Sequence, residues 1–257
     1  MEDLISKPDH SLIAQSISAR KAKVAINGDG FGLGWYGDRA KPGLYHEVLP
    51  AWNDRNLASL AEQVRSGLFF AHVRASTGTE TSRSNCHPFS HGTWLFMHNG
   101  QIGDYNQVRR HLEARLSDEL YDARQGTTDS ELLFLLAFQA GLEEDPQAAI
   151  NRMLVLVEEE MAAAGCARSL RFTAAFSDGA RLVAVRYAND ALPPSLFYCH
   201  EGDQLYLVSE PLDVDKHHWQ PVPSNHILTT AVGAPPRIFP LDGPSATRES
   251  PAWAHVI

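Results

Sequence analysis

Two long helical stretches follow one another in mid-chain, at 128–140 and 146–163, and strand-like runs lie on both sides of them. Alternating or continuously apolar runs occur near 31–36, 44–48, 68–74 and 93–98 before the helices. Others follow near 170–176, 181–187, 195–199 and 204–208, and two further amphipathic stretches lie at 56–66 and 104–117. Strands, then helices, then strands is not the steady βαβα alternation of a doubly wound parallel fold. It predicts an α+β layered arrangement of mostly antiparallel sheets with helices packed outside. "LFF" at 68–70 and "WLF" at 94–96 are apolar on both faces, which predicts a sheet covered by another sheet on one side and by helices on the other. Thr128 and Glu131, in T-D-S-E, have the spacing of a capping box at the start of the middle helix. "LLFLLAF" at 132–138 reads as a core segment of that helix, far shorter than the ~20 residues that span a bilayer.

Composition narrows the function classes. With 257 residues, 44% of them hydrophobic, the chain can bury a full core, and no Pro/Gly/Ser-rich linker or repeat divides it, so one domain over 1–257 is expected. Phosphate backbones are bound by clustered cations, and 22 Lys and Arg against 31 acids argue against a nucleic-acid partner. No membrane segment or secretory signal is visible, and three cysteines without C-x-x-C spacing fit a reducing, cytoplasmic setting.

Several polar residues stand where a core strand would not need them. "LFFAHVRAST" ends an apolar strand with His72 and Arg74 on one face. A buried guanidinium requires a carboxylate or an anionic ligand. "SNCHPF" carries His87 in a loop ahead of the strand that delivers His98, Asn99 and Gly100. His72, His87 and His98 lack metal-ligand spacing, so no metal site is expected. Asn99-Gly100 after an alternating run reads as a hairpin turn, yet a helical pattern beginning at Asp104 follows, not a second strand. "NGDGFGLGWYG" at 27–37 fails as a dinucleotide loop, because position 33 is Leu and a strand follows. Glycines so placed let another backbone, or a substrate, come close. Asp129, at a helix start, complements the helix dipole.

Together "AHVRAST", "CHPF", "MHNGQI" and "TTDSELL", in this order across residues 71–133, closely resemble the class II glutamine amidotransferase domain. The resemblance extends to "NGDGFGLGWYG" and to "LYLVSEPLD" at 205–213, and is to the stand-alone, YafJ-like branch. It implies a four-layer αββα sandwich of the N-terminal-nucleophile hydrolase type, with no cofactor. The implied activity is hydrolysis of the γ-amide of glutamine or of a γ-glutamyl small molecule through a Cys thioester, with ammonia passed to a separate synthase or simply released. By the same resemblance Asn99 and Gly100 form an oxyanion hole, Arg74 clamps the substrate α-carboxylate and Asp129 meets its α-ammonium, while Thr77 and His87 line the glutamine pocket.

The family's nucleophile is an N-terminal Cys whose own amine acts as base. This chain begins Met1-Glu2, and "EDLISKPDHSLIAQS" resembles what the family shows after its first core strand, so the nucleophile and that strand are expected to be missing. Cys86, beside His87, is the internal substitute to consider. The competing expectation is a non-catalytic protein that binds glutamine or a γ-glutamyl ligand.

Overall fold

A computed structural model describes residues 1–19, 26–75, 80–190, 192–213, 218–231 and 233–242. The first part of the chain forms helices α1 (Glu2–Ile5) and α2 (Leu12–Ile17), strands β1 (Phe31–Trp35) and β2 (Gly43–Glu47), helix α3 (Arg55–Gln63) and strand β3 (Phe69–Val73). Strands β4 (Phe89–His91) and β5 (Trp94–Gln101) follow, then helices α4 (Tyr105–Glu113), α5 (Asp118–Asp122), α6 (Asp129–Gln139) and α7 (Pro146–Ala163). The last part is all strand: β6 (Arg171–Ser177), β7 (Arg181–Ala188), β8 (Phe197–Glu201), β9 (Gln204–Val208), β10 (Gln220–Pro221), β11 (His226–Ala231) and β12 (Arg237–Pro240).

The described strands form three sheets, and every pair in them is antiparallel: β2-β1-β3, β10-β8-β9, and a six-stranded sheet in the order β12-β11-β7-β6-β5-β4. The protein is therefore α+β with antiparallel sheets, as its element order predicts. One face of the large sheet carries Phe96, Phe172, Phe176, Val183 and Val185, which bury against α4, α6 and α7 in the main core. Its other face meets the small sheets: Leu95 and Ala175 pack on Phe70 of β3, and Ala184 and Leu228 pack with Leu196 and Val222 near β8 to β10. The outward face of β1 and β3 (Phe31, Leu33, Phe69, Ala71) is sealed by Ile5 of α1 and by Leu57 and Ala61 of α3.

Local chemistry sets the helix starts. Thr128 Oγ1 accepts from Glu131 N at 3.1 Å, but the buried Glu131 carboxylate accepts from Gln125 N and Gly126 N at 2.9 and 2.7 Å, so only half of the expected capping box forms. Thr128→Ala should cost about 1 kcal/mol in a urea melt. Helix α6 is not amphipathic either, since every residue from Ser130 to Ala137 is buried. Asp104 precedes α4 in a left-handed conformation and accepts from Ala167 N and Arg168 N, joining the start of α4 to the approach of β6.

Two glycines admit close backbone contacts. A Cβ on Gly32 would lie 2.2 Å from His87 O, so the glycine run of β1 is what lets the 86–88 loop cross that strand. The close approach anticipated there is thus to another backbone. Asn99-Gly100 is no turn: both residues lie inside β5, opposite Thr173 and Phe172, and pairing runs on to Gln101 opposite Arg171.

Candidate functional site

Strands β3 and β9 are each an edge strand of a small sheet, and residues of both border one cavity of about 820 Å³. The floor is the non-helical face of the large sheet. Asn99 stands opposite Thr173, and Thr173 opposite Arg186, so three polar side chains rise in one row across β5, β6 and β7. Arg74, His87, Asn99, Gly100 and Asp129, widely spaced in the chain, all line this cavity. Thr77 lies outside the described residues.

Each side chain is held by neighbours of identifiable kind. The buried Arg74 guanidinium donates to the main-chain carbonyls of Asp29 and Glu80 at 3.2 and 3.4 Å. Asp129, the first residue of α6, accepts from Ile102 N through Oδ2 and from Ser130 N through Oδ1, both at 2.8 Å. These bonds place its carboxylate where the dipole of α6 favours an anion and fasten the helix to the end of β5. A carboxylate has about four acceptor sites, which leaves Asp129 acceptor capacity for a ligand ammonium.

Three histidines surround Asn99. His98, on the helical face, has Nε2 3.2 Å from Arg171 O and Nδ1 2.9 Å from Ser130 Oγ. A carbonyl only accepts, so Nε2 carries the proton and the Ser130 hydroxyl donates to Nδ1. On the cavity side, His72 Nε2 lies 3.0 Å from Asn99 Oδ1. His72 also packs on His87 with ring centroids 4.3 Å apart. His87 is buried, and neither of its ring nitrogens has a hydrogen-bond partner among the described residues. No group of three or more His, Cys, Asp or Glu side chains among the described residues could hold a metal ion. None of the three cysteines lines the cavity. Cys86 is buried with its Sγ toward Glu47 O and Ser82 O, and burial pushes its thiol up, the opposite of an activated nucleophile.

The family model for class II glutamine amidotransferases matches residues 6–200. The chain belongs to this family. This class II amidotransferase is 32% identical to the "Probable glutamine amidotransferase DUG3" of Saccharomyces cerevisiae, over 89% of this chain and 77% of the yeast protein. It is 30% identical to the γ-glutamyl-hercynylcysteine sulfoxide hydrolase of Mycolicibacterium smegmatis, over 89% of both. Among solved structures it is similar to a glutamine aminotransferase class-II domain protein from Silicibacter pomeroyi, with TM-score 0.73 and 43% identity over 82% of this chain and 91% of that one. It shares a fold with the glutamine phosphoribosylpyrophosphate amidotransferase of B. subtilis, with TM-score 0.62 and 18% identity over 84% of this chain and 44% of that one.

The amidotransferase cavity is also lined by Thr173 and Arg186, which the sequence did not single out. The signal for Thr173 was the polar alternation of Arg171, Thr173 in an otherwise apolar strand; Arg186 becomes informative only through its register with Thr173. Arg186 donates to Pro194 O and Val222 O, and Thr173 Oγ1 donates to the same Pro194 carbonyl.

The buried histidines predict that the stability of this amidotransferase depends on pH. Burial pushes His72 down to about 4 against the opposing effect of its Asn99 hydrogen bond, with the nearby Arg74 guanidinium acting in the same direction as burial. It holds His87 well below its ordinary 6.5, again with help from neighbouring His72, His98 and Arg74. Below pH 6.5 the unfolded chain takes up protons that these folded imidazoles refuse, so stability falls as the pH drops from 6.5 toward about 4. Urea melts at pH 7.5 and 5.5 should differ by about 1.4 kcal/mol per pH unit below 6.5 for each such imidazole. His87→Asn should flatten the slope, and an unchanged slope would exclude His87 as a source.

Proposed function

We propose that the protein is a glutamine amidotransferase-type hydrolase that cleaves the γ-amide of glutamine or of a γ-glutamyl small molecule. The observation that carries this reading is the convergence of Asn99, Gly100, Arg74 and Asp129 on one cavity. An amino-acid zwitterion fits that set: its carboxylate meets the Arg74 guanidinium and its ammonium meets Asp129, which leaves the γ-carbonyl at Asn99 and Gly100. Attack of a thiolate on that carbonyl makes a C–S bond and an oxyanion, which the Asn99 amide and the Gly100 N–H stabilise. Collapse expels the amine, which takes up a proton, and water then cleaves the thioester to release the γ-carboxylate. The sulfur is that of the N-terminal Cys that the family resemblance supplies. Thr77 and His87 complete the ligand pocket in this reading, inside one domain of the αββα type acting in the cytoplasm. The relatives named for γ-glutamyl and glutamine substrates support the substrate class.

A second reading is a protein that binds glutamine or a γ-glutamyl ligand in the same cavity without turnover. Both readings require the zwitterion clamp, so binding is measured first. Calorimetric titration should show one site for L-glutamine, and Asp129→Asn should weaken it at least tenfold, or about 1.4 kcal/mol. A role as a helix-end charge alone would leave affinity untouched. Because Asp129 also accepts two backbone N–H groups, the variant should lose about 1–3 kcal/mol of stability, more than the helix dipole alone would predict. Ammonia release from glutamine by a form carrying the N-terminal Cys separates hydrolase from binding protein.

A further inference from the structure

We infer that His72 is a positioning residue for Asn99, donating from Nε2 to Oδ1 so that the Nδ2 amine of the carboxamide is the group presented to the cavity. The inference rests on the reading of Asn99 as an oxyanion donor and supplies what that reading lacks, a cause for the orientation of its amide. A carboxamide can be turned over at little intrinsic cost, and in the wrong sense it would aim an acceptor at developing negative charge.

The geometry fixes the direction. Asn99 Oδ1 only accepts, so the His72 nitrogen 3.0 Å from it must be the protonated one. The other nitrogen, Nδ1, is buried and has no hydrogen-bond partner among the described residues. A proton there would leave a buried donor unsatisfied, which costs about 1–3 kcal/mol, more for a charged group. The neutral Nε2–H tautomer is therefore the form that suits the surroundings, and burial, which depresses this imidazole to about 4, keeps it neutral at pH 7. The His87 ring, 4.3 Å away, and the β1–β3 ladder (Gly32 opposite His72) fix the position from which His72 acts. Asn99 Nδ2 takes no acceptor among the described residues.

The test needs no ligand at first. Long-range nitrogen NMR of the chain should report His72 as the Nε2–H tautomer, still neutral at pH 5.5, and the Asn99 side-chain amide as ordered. His72→Ala should leave that amide mobile, and His72→Gln, whose own amine can donate, should restore much of its order. In a form carrying the N-terminal Cys, His72→Ala should lower kcat by about tenfold to 10²-fold with KM changed less than about twofold, the pattern of a misplaced transition-state donor. His72→Gln should recover most of that loss. An Nδ1–H tautomer, an Asn99 amide equally ordered without His72, or an effect on KM alone would each overturn the assignment. If His72→Ala does not fold, the wild-type tautomer and His72→Gln decide. Failure of glutamine binding would instead sink the functional reading and leave the tautomer and amide measurements standing.

Discussion

Asn99→Asp is expected to lower turnover by at least ~10²-fold, the scale of a lost oxyanion donor, in a form of the protein carrying the N-terminal Cys. Asp preserves the oxygen that accepts from His72 Nε2, so β5 and its neighbours keep their packing and the variant should melt within a few degrees of the parent. What Asp removes is the amine, and the second carboxylate oxygen that replaces it faces the charge that develops on the γ-carbonyl. Glutamine itself, with a neutral amide, should still bind, which calorimetry can check. Near-parental turnover would remove Asn99 from the mechanism, whereas a large loss of stability would show a structural role.

Gly100→Ala is expected to damage the fold more than any other conservative change at the site. A Cβ there would lie 1.9 Å from Arg171 O and 2.5 Å from His98 Nε2, and the residue has φ +152. The obstacle is backbone: Arg171 O is also the acceptor for His98 Nε2, so relief must part β5 from β6 or break that bond. The loss should be about 3 kcal/mol, at the upper end for overpacking. For a chain of this size that is a fall of roughly 6–12 °C in Tm. Ala retains the backbone N–H, so if Gly100 served only to donate that hydrogen bond, the variant would melt like the parent; a thermal melt separates the two.

Much of this protein was legible in the sequence because the signals were local. Period-2 runs located β1, β2, β3 and β5 to β9 to within a few residues, and Thr128 marked the start of α6. His72, Arg74, His98 and Asn99 were recognisable as polar groups toward the ends of apolar strands. The failures have physical reasons. Asn-Gly favours a turn only when nothing competes, and the ladder from β6 to β5 through Gln101 and Arg171 competes and wins. The half-formed capping box follows from Glu131 being drawn to the 125–126 backbone, and the short strands β10 to β12 exist through their partners more than through their own patterns.

By itself the sequence determined the element order, the antiparallel α+β class and the family, since apolar period, cap chemistry and motif spacing are properties of neighbouring residues. Only the tertiary structure decided what those residues do to one another. That His72 meets Asn99 across 27 positions, and that Asn99, Thr173 and Arg186 share a row, are consequences of strand register. Register is set by burying one whole face of a sheet at once, a slip of one residue turning every side chain to the opposite face, so it belongs to the assembled sheets and to no single segment.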